Sequence, residues 1–295
     1  MRELPNPTFP LSGALWSLAT PRRAQDAALL RPPVIALRDA EPVAATQTPA
    51  DTELHVSWAR NLDEVRAAQR LRYSVFVEEM GARLPKPSDP RLAGHDIDLF
   101  DDYCEHLLVR SGRNGPVIGT YRVLTPAQAR RVGSTYSDTE FDLVRLRSLR
   151  DRMVELGRSC VHADHRQGGV IFALWGALAD FMARNQLDTM IGCASIPMLH
   201  NGLVSGDAAA SVYHQLSQKH MAPIELQVRP RLPLPLGQLD STLEVAPPAL
   251  IRGYLRLGAR ILGAPAWDPD FNSADLPMLM RVADLPGRYR RQFTA

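Results

Sequence analysis

Cysteine is scarce: Cys104, Cys160 and Cys193 are the only three in 295 residues, and they lie far apart. None belongs to a CxxC pair, so a disulfide framework and a structural zinc site both lack their usual signature. All three sit in apolar, strand-like stretches where cysteine serves as a small hydrophobe, and a reduced cytoplasm is expected. Long hydrophobic runs are missing as well. The most continuous one, from Gly168 to Ala179, is stopped by Asp180, well short of the roughly 20 residues that cross a bilayer. The N-terminal LSGALWSLA is short, follows prolines and an acid, and makes a poor signal peptide. Nor does one sign of charge dominate. The net charge is +2, so composition offers no case for nucleic acid.

What charge there is comes in patches. Arg145, Arg147, Arg150 and Arg152 form a basic run, whereas Asp96, Asp98, Asp101 and Asp102 crowd an acidic one. Two different charged partners are expected rather than one sticky surface. Residues 1–50 hold 8 of the 24 prolines and show no sustained periodicity, which reads as a poorly ordered extension. ELHVSWA alternates as a strand does, and Asn61 is placed to cap a helix running through RLRYSVFVEEM to Gly81. Pro85, Pro87 and Pro90 break the next segment into a loop. CEHLLVR and VIGTYRVL flank the turn SGRNGP as a hairpin, and MVELGRSCV reads as a further strand. Residues 169–184 are apolar nearly all round, so that helix is expected to be buried. TMIGCAS adds a strand and GDAAASVYHQLSQKH a helix. The order predicts an α/β sandwich organised round one central helix. A core over residues 51–220 and a C-terminal extension over 221–295 are expected.

The stretch ELGRSCVHADHRQGG, residues 155–169, concentrates the chemistry. Glycines at a strand-to-helix junction let backbone N–H groups approach an anion, and the helix N-terminus adds favourable partial charge. Arg166 can clamp a phosphate oxygen beside Gly168 and Gly169, although plain turn residues also occur in this pattern. Glu155 reads either as a salt-bridge partner of Arg158 or as a general base in a partly desolvated cleft. The HADH of His162–His165 lacks a convincing third ligand, so no metal is expected.

ELGRSCV followed by RxxG and an apolar helix resembles the acyl-donor core of GNAT-type acyltransferases, with Ile171 standing where a small residue is usual. The resemblance implies an α/β, GNAT-like fold, a mixed central sheet flanked by helices. It also implies a 4′-phosphopantetheine thioester as co-substrate, with no cofactor held. RYSVF (Arg72 to Phe76), the DxxD of Asp98 and Asp101, GTYR ending at Arg122, and the ExxR of Glu155 and Arg158 are similar to acyl-homoserine-lactone synthases. Ala82 replaces their usual tryptophan. RYSVFVEEMGA, FDDYCEHLLV, GCAS, PALIRGYLRLGARILGAPAWDPDFNSAD and RYRRQF more closely resemble the ornithine N-acyltransferases of ornithine lipid biosynthesis.

That family implies transfer of a 3-hydroxyacyl group from acyl carrier protein to the α-amine of ornithine. Glu155 would take the amine proton, directly or through water, and strand N–H groups near Cys160 would polarise the thioester. Tyr213 would protonate the thiolate, unless it is a structural tyrosine. Asp98 and Asp101 would hold the cation and Arg72 or Arg122 the carboxylate, with Phe76 and Arg158 as further substrate-binding residues. The duller alternative pairs these acids and arginines with each other. Asp268, Asp270 and Asp275 are further substrate candidates. The basic run Arg145–Arg152, with Lys219, is a candidate carrier-protein dock. A covalent acyl-enzyme on Cys160 or Cys193 lacks an adjacent base. Another amine acceptor, as in lactone synthases, and a non-catalytic acyl-binding protein are the remaining alternatives. A lipid product is compatible with peripheral contact at the inner membrane, for which YLRLGARIL is a candidate segment.

Overall fold

The computed structural model describes residues 53–167 and 169–287. The Pro-rich stretch 1–50, Gly168 and the RYRRQF segment lie outside the described residues.

The elements are, in chain order, β1 (Leu54–Trp58), α1 (Leu62–Tyr73), β2 (Glu105–Ser111), β3 (Val117–Leu124), α2 (Pro126–Val132), α3 (Tyr136–Glu140), β4 (Phe141–Asp142), β5 (Met153–Val161), α4 (Val170–Arg184), β6 (Thr189–Pro197), β7 (Leu199–His200), β8 (Leu203–Val204), α5 (Asp207–His220), β9 (Arg229–Pro230), α6 (Ala249–Arg256), β10 (Arg260–Ile261), β11 (Ala266–Asp268) and β12 (Ser273–Arg281). The main sheet runs β1-β2-β3-β5-β6-β12-β10, with β11 also paired to β12. Only β5 and β6 are parallel, which makes the sheet mixed.

Helices cover both faces. Leu107 and Val109 of β2 pack with Leu174 and Leu178 of α4, whereas Leu108 between them packs with Ala68 and Leu71 of α1. This is the period-2 alternation of a strand, and it explains why every residue of β3 is buried. Ala194 and Ile196 of β6, with Leu276 and Met278 of β12, pack with Val212 and Leu216 of α5 and Ile251 of α6. The opposite face of those two strands carries Ile191 and Leu279, packed on Phe141, Leu143 and Leu146. The face away from α4 and α5 therefore holds α1, α3 and the 3-10 run Val144–Arg152.

Three expectations need correction. α1 does not continue to Gly81 as one regular helix; a π-helical turn, Ser74–Glu79, follows it. Met80 N–H donates to Val75 O at 3.1 Å, an i→i−5 bond that inserts a residue and re-aims the side chains beyond it. α4 is not enclosed all round, for Phe172 is 70% exposed. YLRLGARIL is not one interfacial segment: α6 ends at Arg256, Gly258 turns the chain at φ +92, and Ile261 and Leu262 enter the core.

Residues beyond 220 are part of the same sheet. β12 pairs with β6 along its whole length, from Ser273 opposite Pro197 to Arg281 opposite Thr189. No described helix is long and apolar enough to cross a membrane.

Candidate active site

β5 and β6 pair only at Met153–Thr189, Val154–Met190 and Glu155–Ile191, then part. Past this fork β5 stays with β3 and β6 with β12, so a gap opens through the middle of the sheet. Gly192 stands at the crotch. A Cβ there would lie 2.4 Å from Leu156 O, so the strands come this close only because the residue has no side chain.

Just beyond the fork β5 carries a bulge. Arg122 lies opposite Gly157 and Thr120 opposite Cys160, so β5 spends one residue more than β3 between these pairs. Arg158 takes the strained position, at φ 50. Its guanidinium lies 4.8 Å from the Tyr136 ring centroid and 4.5 Å from that of Phe271. It also reaches Asp96 Oδ2 at 3.3 Å and Asp98 Oδ2 at 3.2 Å.

Arg158 is one of three arginines that match three aspartates. Arg72, fully buried, donates to Asp96 Oδ2 at 2.9 Å and to both oxygens of Asp101 at 2.9 and 2.7 Å. Arg122 reaches Asp98 at 2.5 Å and Asp101 at 3.1 Å. Burial raises the Asp101 pKa, but Arg72 and then Arg122 hold it well below the usual carboxylate range. Asp101 additionally accepts from Gln69 at 3.0 Å. The expected cation and carboxylate holders Asp101, Arg72 and Arg122 are thus spent on one another.

Against this network lies a cleft of about 450 Å³, walled by Leu84 and Pro85, Asp96–Phe100, Tyr136, Glu140, Arg158, Asp268, Asp270 and Phe271. Phe76, expected near substrate, is one layer behind, edge-on to Phe271 at 5.8 Å. Among the described residues, Glu140, Asp268, Asp270 and Asp275 make no ion pair. Burial, then repulsion from Asp268 and Asp275, pushes Glu140 up to about 7. Burial and Asp268 push Asp275 up to about 6. Asp268, Asp270 and Asp275 were legible as acids in WDPDFNSAD. Glu140 was not, because nothing local distinguishes it from a surface glutamate.

Glu155 is 6% exposed, at the last β5–β6 pair. Its oxygens accept the N–H groups of Tyr136 at 2.7 Å and Ser137 at 2.6 Å, the free donors at the N-terminus of α3. Burial pushes its pKa up against the pull of those donors. It neither pairs with Arg158 nor lines the cleft. Cys193, two residues past the fork on β6, contacts Ser137 Oγ at 3.6 Å.

The donor-side residues are spread along β5. Cys160 is buried against α1, and burial lifts its thiol to about 12. Burial likewise lifts Cys193 well above its ordinary value, which leaves neither thiol a ready nucleophile. Gly169 caps α4, whose first turn has no side-chain cap. Arg166, just before it, forms a two-pronged ion pair with Glu79 at 2.5 and 2.6 Å. Tyr213 is half-buried on α5, across the sheet from the cleft. The basic run is at the other end of β5. Arg152 meets Asp188 at 3.1 Å beside the closed end of the fork, and Arg150 holds Asp138 of α3 at 2.5 Å. Arg145 donates to Ile224 O at 2.6 Å, and Arg147 is exposed. The structure does not bring this run to the α4 N-terminus where a donor phosphate was expected.

Residues 71–176 match the acetyltransferase (GNAT) domain family. An L-ornithine N(alpha)-acyltransferase of Rhodobacter capsulatus is 33% identical over 252 residues, 83% of this chain and 96% of the relative. One from Agrobacterium fabrum is 35% identical over 80% of this chain and 83% of the relative. Among solved structures, an N-acyl amino acid synthase from uncultured soil microbes aligns with a TM-score of 0.47 at 13% identity, over 80% of this chain and 94% of that one. A forked mixed sheet, a GNAT match and relatives of 33% and 35% identity aligned over 96% and 83% of their length lead to one conclusion: the chain belongs to the L-ornithine N(alpha)-acyltransferase family.

Proposed function

We propose that this chain transfers a 3-hydroxyacyl group from the 4′-phosphopantetheine thioester of acyl carrier protein to the α-amine of L-ornithine, giving lyso-ornithine lipid. The observation that carries the reading is the charge balance of the cleft. Three arginines neutralise Asp96, Asp98 and Asp101, and the acids left over on the cleft wall are Glu140, Asp268 and Asp270, with Asp275 buried on the neighbouring strand β12. A site with surplus negative charge suits an acceptor with two ammonium groups. Arg158, the arginine lining the cleft, suits the acceptor's carboxylate.

The donor approaches from the α4 and α5 face. Its single phosphate sits at the uncapped α4 N-terminus, taking Arg166 from Glu79. That exchange is cheap because an exposed ion pair contributes at most about 1 kcal/mol. The pantetheine arm follows the fork, where backbone groups of the parted strands offer hydrogen bonds to the thioester. Tyr213 meets the departing sulfur on the α5 side, and the amine attacks from the cleft side. Carrier protein docks at the open end of the fork, around Arg166. The protein works in the cytoplasm, and its lipid product brings it to the inner membrane surface.

Purified protein with 3-hydroxyacyl carrier protein and ornithine should yield N-acylornithine by mass spectrometry, with lysine and homoserine as controls. Thioester consumed only with another amine would move the acceptor. No consumption with any amine would favour an acyl-binding role.

A further inference from the structure

Thioester aminolysis needs a base that reaches the amine directly or through one water, and Glu155 is poorly placed for it. Both of its oxygens are occupied by α3 amides, and it does not line the cleft. What it holds is the start of α3, a five-residue helix whose last residue is Glu140. The register of that helix is fixed three times over. Glu155 takes its first N–H groups, Thr135 and Asp138 form a capping box, and Arg150 clamps Asp138. Such support around one short helix is what a group held ready for chemistry requires.

We propose that Glu140 is the catalytic base of the acyl transfer, with Glu155 as a positioning residue that sets α3. This rests on the acyltransferase reading above. Glu140 lines the cleft, and among the described residues its carboxylate has no hydrogen-bond or ion-pair partner. The same helix sets Ser137 Oγ 3.6 Å from the Cys193 thiol beside the fork, so α3 reaches from the fork at Ser137 to the cleft at Glu140. Asp96, 1% exposed and lining the same cleft, has a buried Oδ1 with no hydrogen-bond partner, a second group waiting for a donor.

The groups facing Glu140 are Asp268 and Asp270 from the β11 end, Asp275 from β12 and Arg158 from β5. Burial raises its proton affinity most, the three acids add to the rise, and Arg158 lowers it. A base poised near neutrality accepts a proton from an ammonium while staying largely ionised above pH 7.

The step balances. Glu140 takes one proton from the α-ammonium, the neutral nitrogen attacks the carbonyl carbon, and a C–N bond forms. As the C–S bond breaks, the second nitrogen proton goes to the pantetheine sulfur. Glu140 then releases its proton to solvent, so each turnover yields amide, thiol and one proton.

The test compares Glu140→Gln and Glu155→Gln in the full chain. Glu140→Gln should keep or raise the wild-type Tm at pH 8 yet lose roughly 10²–10⁴ in kcat. The wild-type pH profile of kcat/KM should carry an acidic limb near 7. That limb should vanish in Glu140→Gln, whose deficit should narrow toward pH 10 as the amine deprotonates unaided. Glu155→Gln should lower activity and Tm together and keep the limb. Retained kcat in Glu140→Gln, or a rise in KM alone with the wild-type profile, would overturn the proposal.

A carboxyl titration by NMR in the free protein decides independently of the acceptor. A signal absent from Glu140→Gln with a midpoint near 7 supports the base, and one below 5 refutes it. Should ornithine fail and another amine react, the acceptor assignment falls while Glu140 is judged with that amine.

Discussion

Arg72 illustrates how a side chain matters without touching substrate. It is fully buried, and its guanidinium spans Asp96 and Asp101, which in turn carry Arg158 and Arg122. Removing it leaves two carboxylates in a low-dielectric site with fewer partners, the costly way to break a buried pair. Arg72→Ala should therefore lower unfolding stability in urea by about 3–5 kcal/mol. A loss below about 1 kcal/mol would mean that water replaces the guanidinium. Arg72→Lys should also be damaging, since an ammonium cannot reproduce the fork that meets Asp101 through two nitrogens. Arg158 sits at the same scale of detail. Its positive φ costs backbone energy, and the two ring faces and two carboxylates around it are what hold the side chain over the cleft.

At the scale of elements the fork decides what the sheet can do. A parallel pair that separates after three residues leaves backbone groups unpaired in mid-sheet, which is expensive unless a ligand or water takes them. Gly192 permits the close approach just before the strands part. Gly192→Ala should cost about 1–3 kcal/mol as the crotch is forced open. It should raise KM for the acyl donor more than KM for ornithine, because the passage lies at the fork and the acids do not. Unchanged stability with both KM values intact would disconnect the fork from donor binding. The π-helical turn after α1 is the other device of this kind, since it sets Phe76 against Phe271 at the cleft wall.

For the whole molecule, surplus acid makes stability depend on pH in two opposite senses. Glu140 and Asp275 hold protons more tightly folded than unfolded, up to about 7 and about 6. Between about pH 4 and pH 7 the folded state carries the extra protons, so stability falls as pH rises through that window. Asp101 is depressed when folded; its contribution is complete above its unfolded value of about 4 and is lost as pH falls below it. The Tm should therefore rise from pH 8 to about 5 and drop below about 4. Ornithine, supplying cations to the cleft, should stabilise more at pH 8 than at pH 5. A Tm that climbs steadily from pH 4 to pH 8 would contradict the uncompensated charge.

Sequence alone determined what depends on local pattern. Alternation marked β1, a hairpin signal marked β2 and β3, the Asn61 cap opened α1, and a strand carrying ELGRSCV led through Arg166 and Gly169 into an apolar helix. The motifs that resemble the family lie along those elements, so the fold class and the family were legible before any coordinates. Tertiary structure decided which acids are free and which are spent. Asp98, Asp101 and Glu155 read equally as free carboxylates or as partners of nearby arginines; arginines from α1, β3 and β5 occupy the aspartates, and amides from α3, not Arg158, occupy Glu155. Nothing in the sequence singles out Glu140, yet burial, then Asp268 and Asp275 more than a hundred positions along the chain, raise its proton affinity. The reason is physical: helix and strand periods act over a few neighbours, whereas desolvation and Coulomb interaction act across whatever the fold brings together.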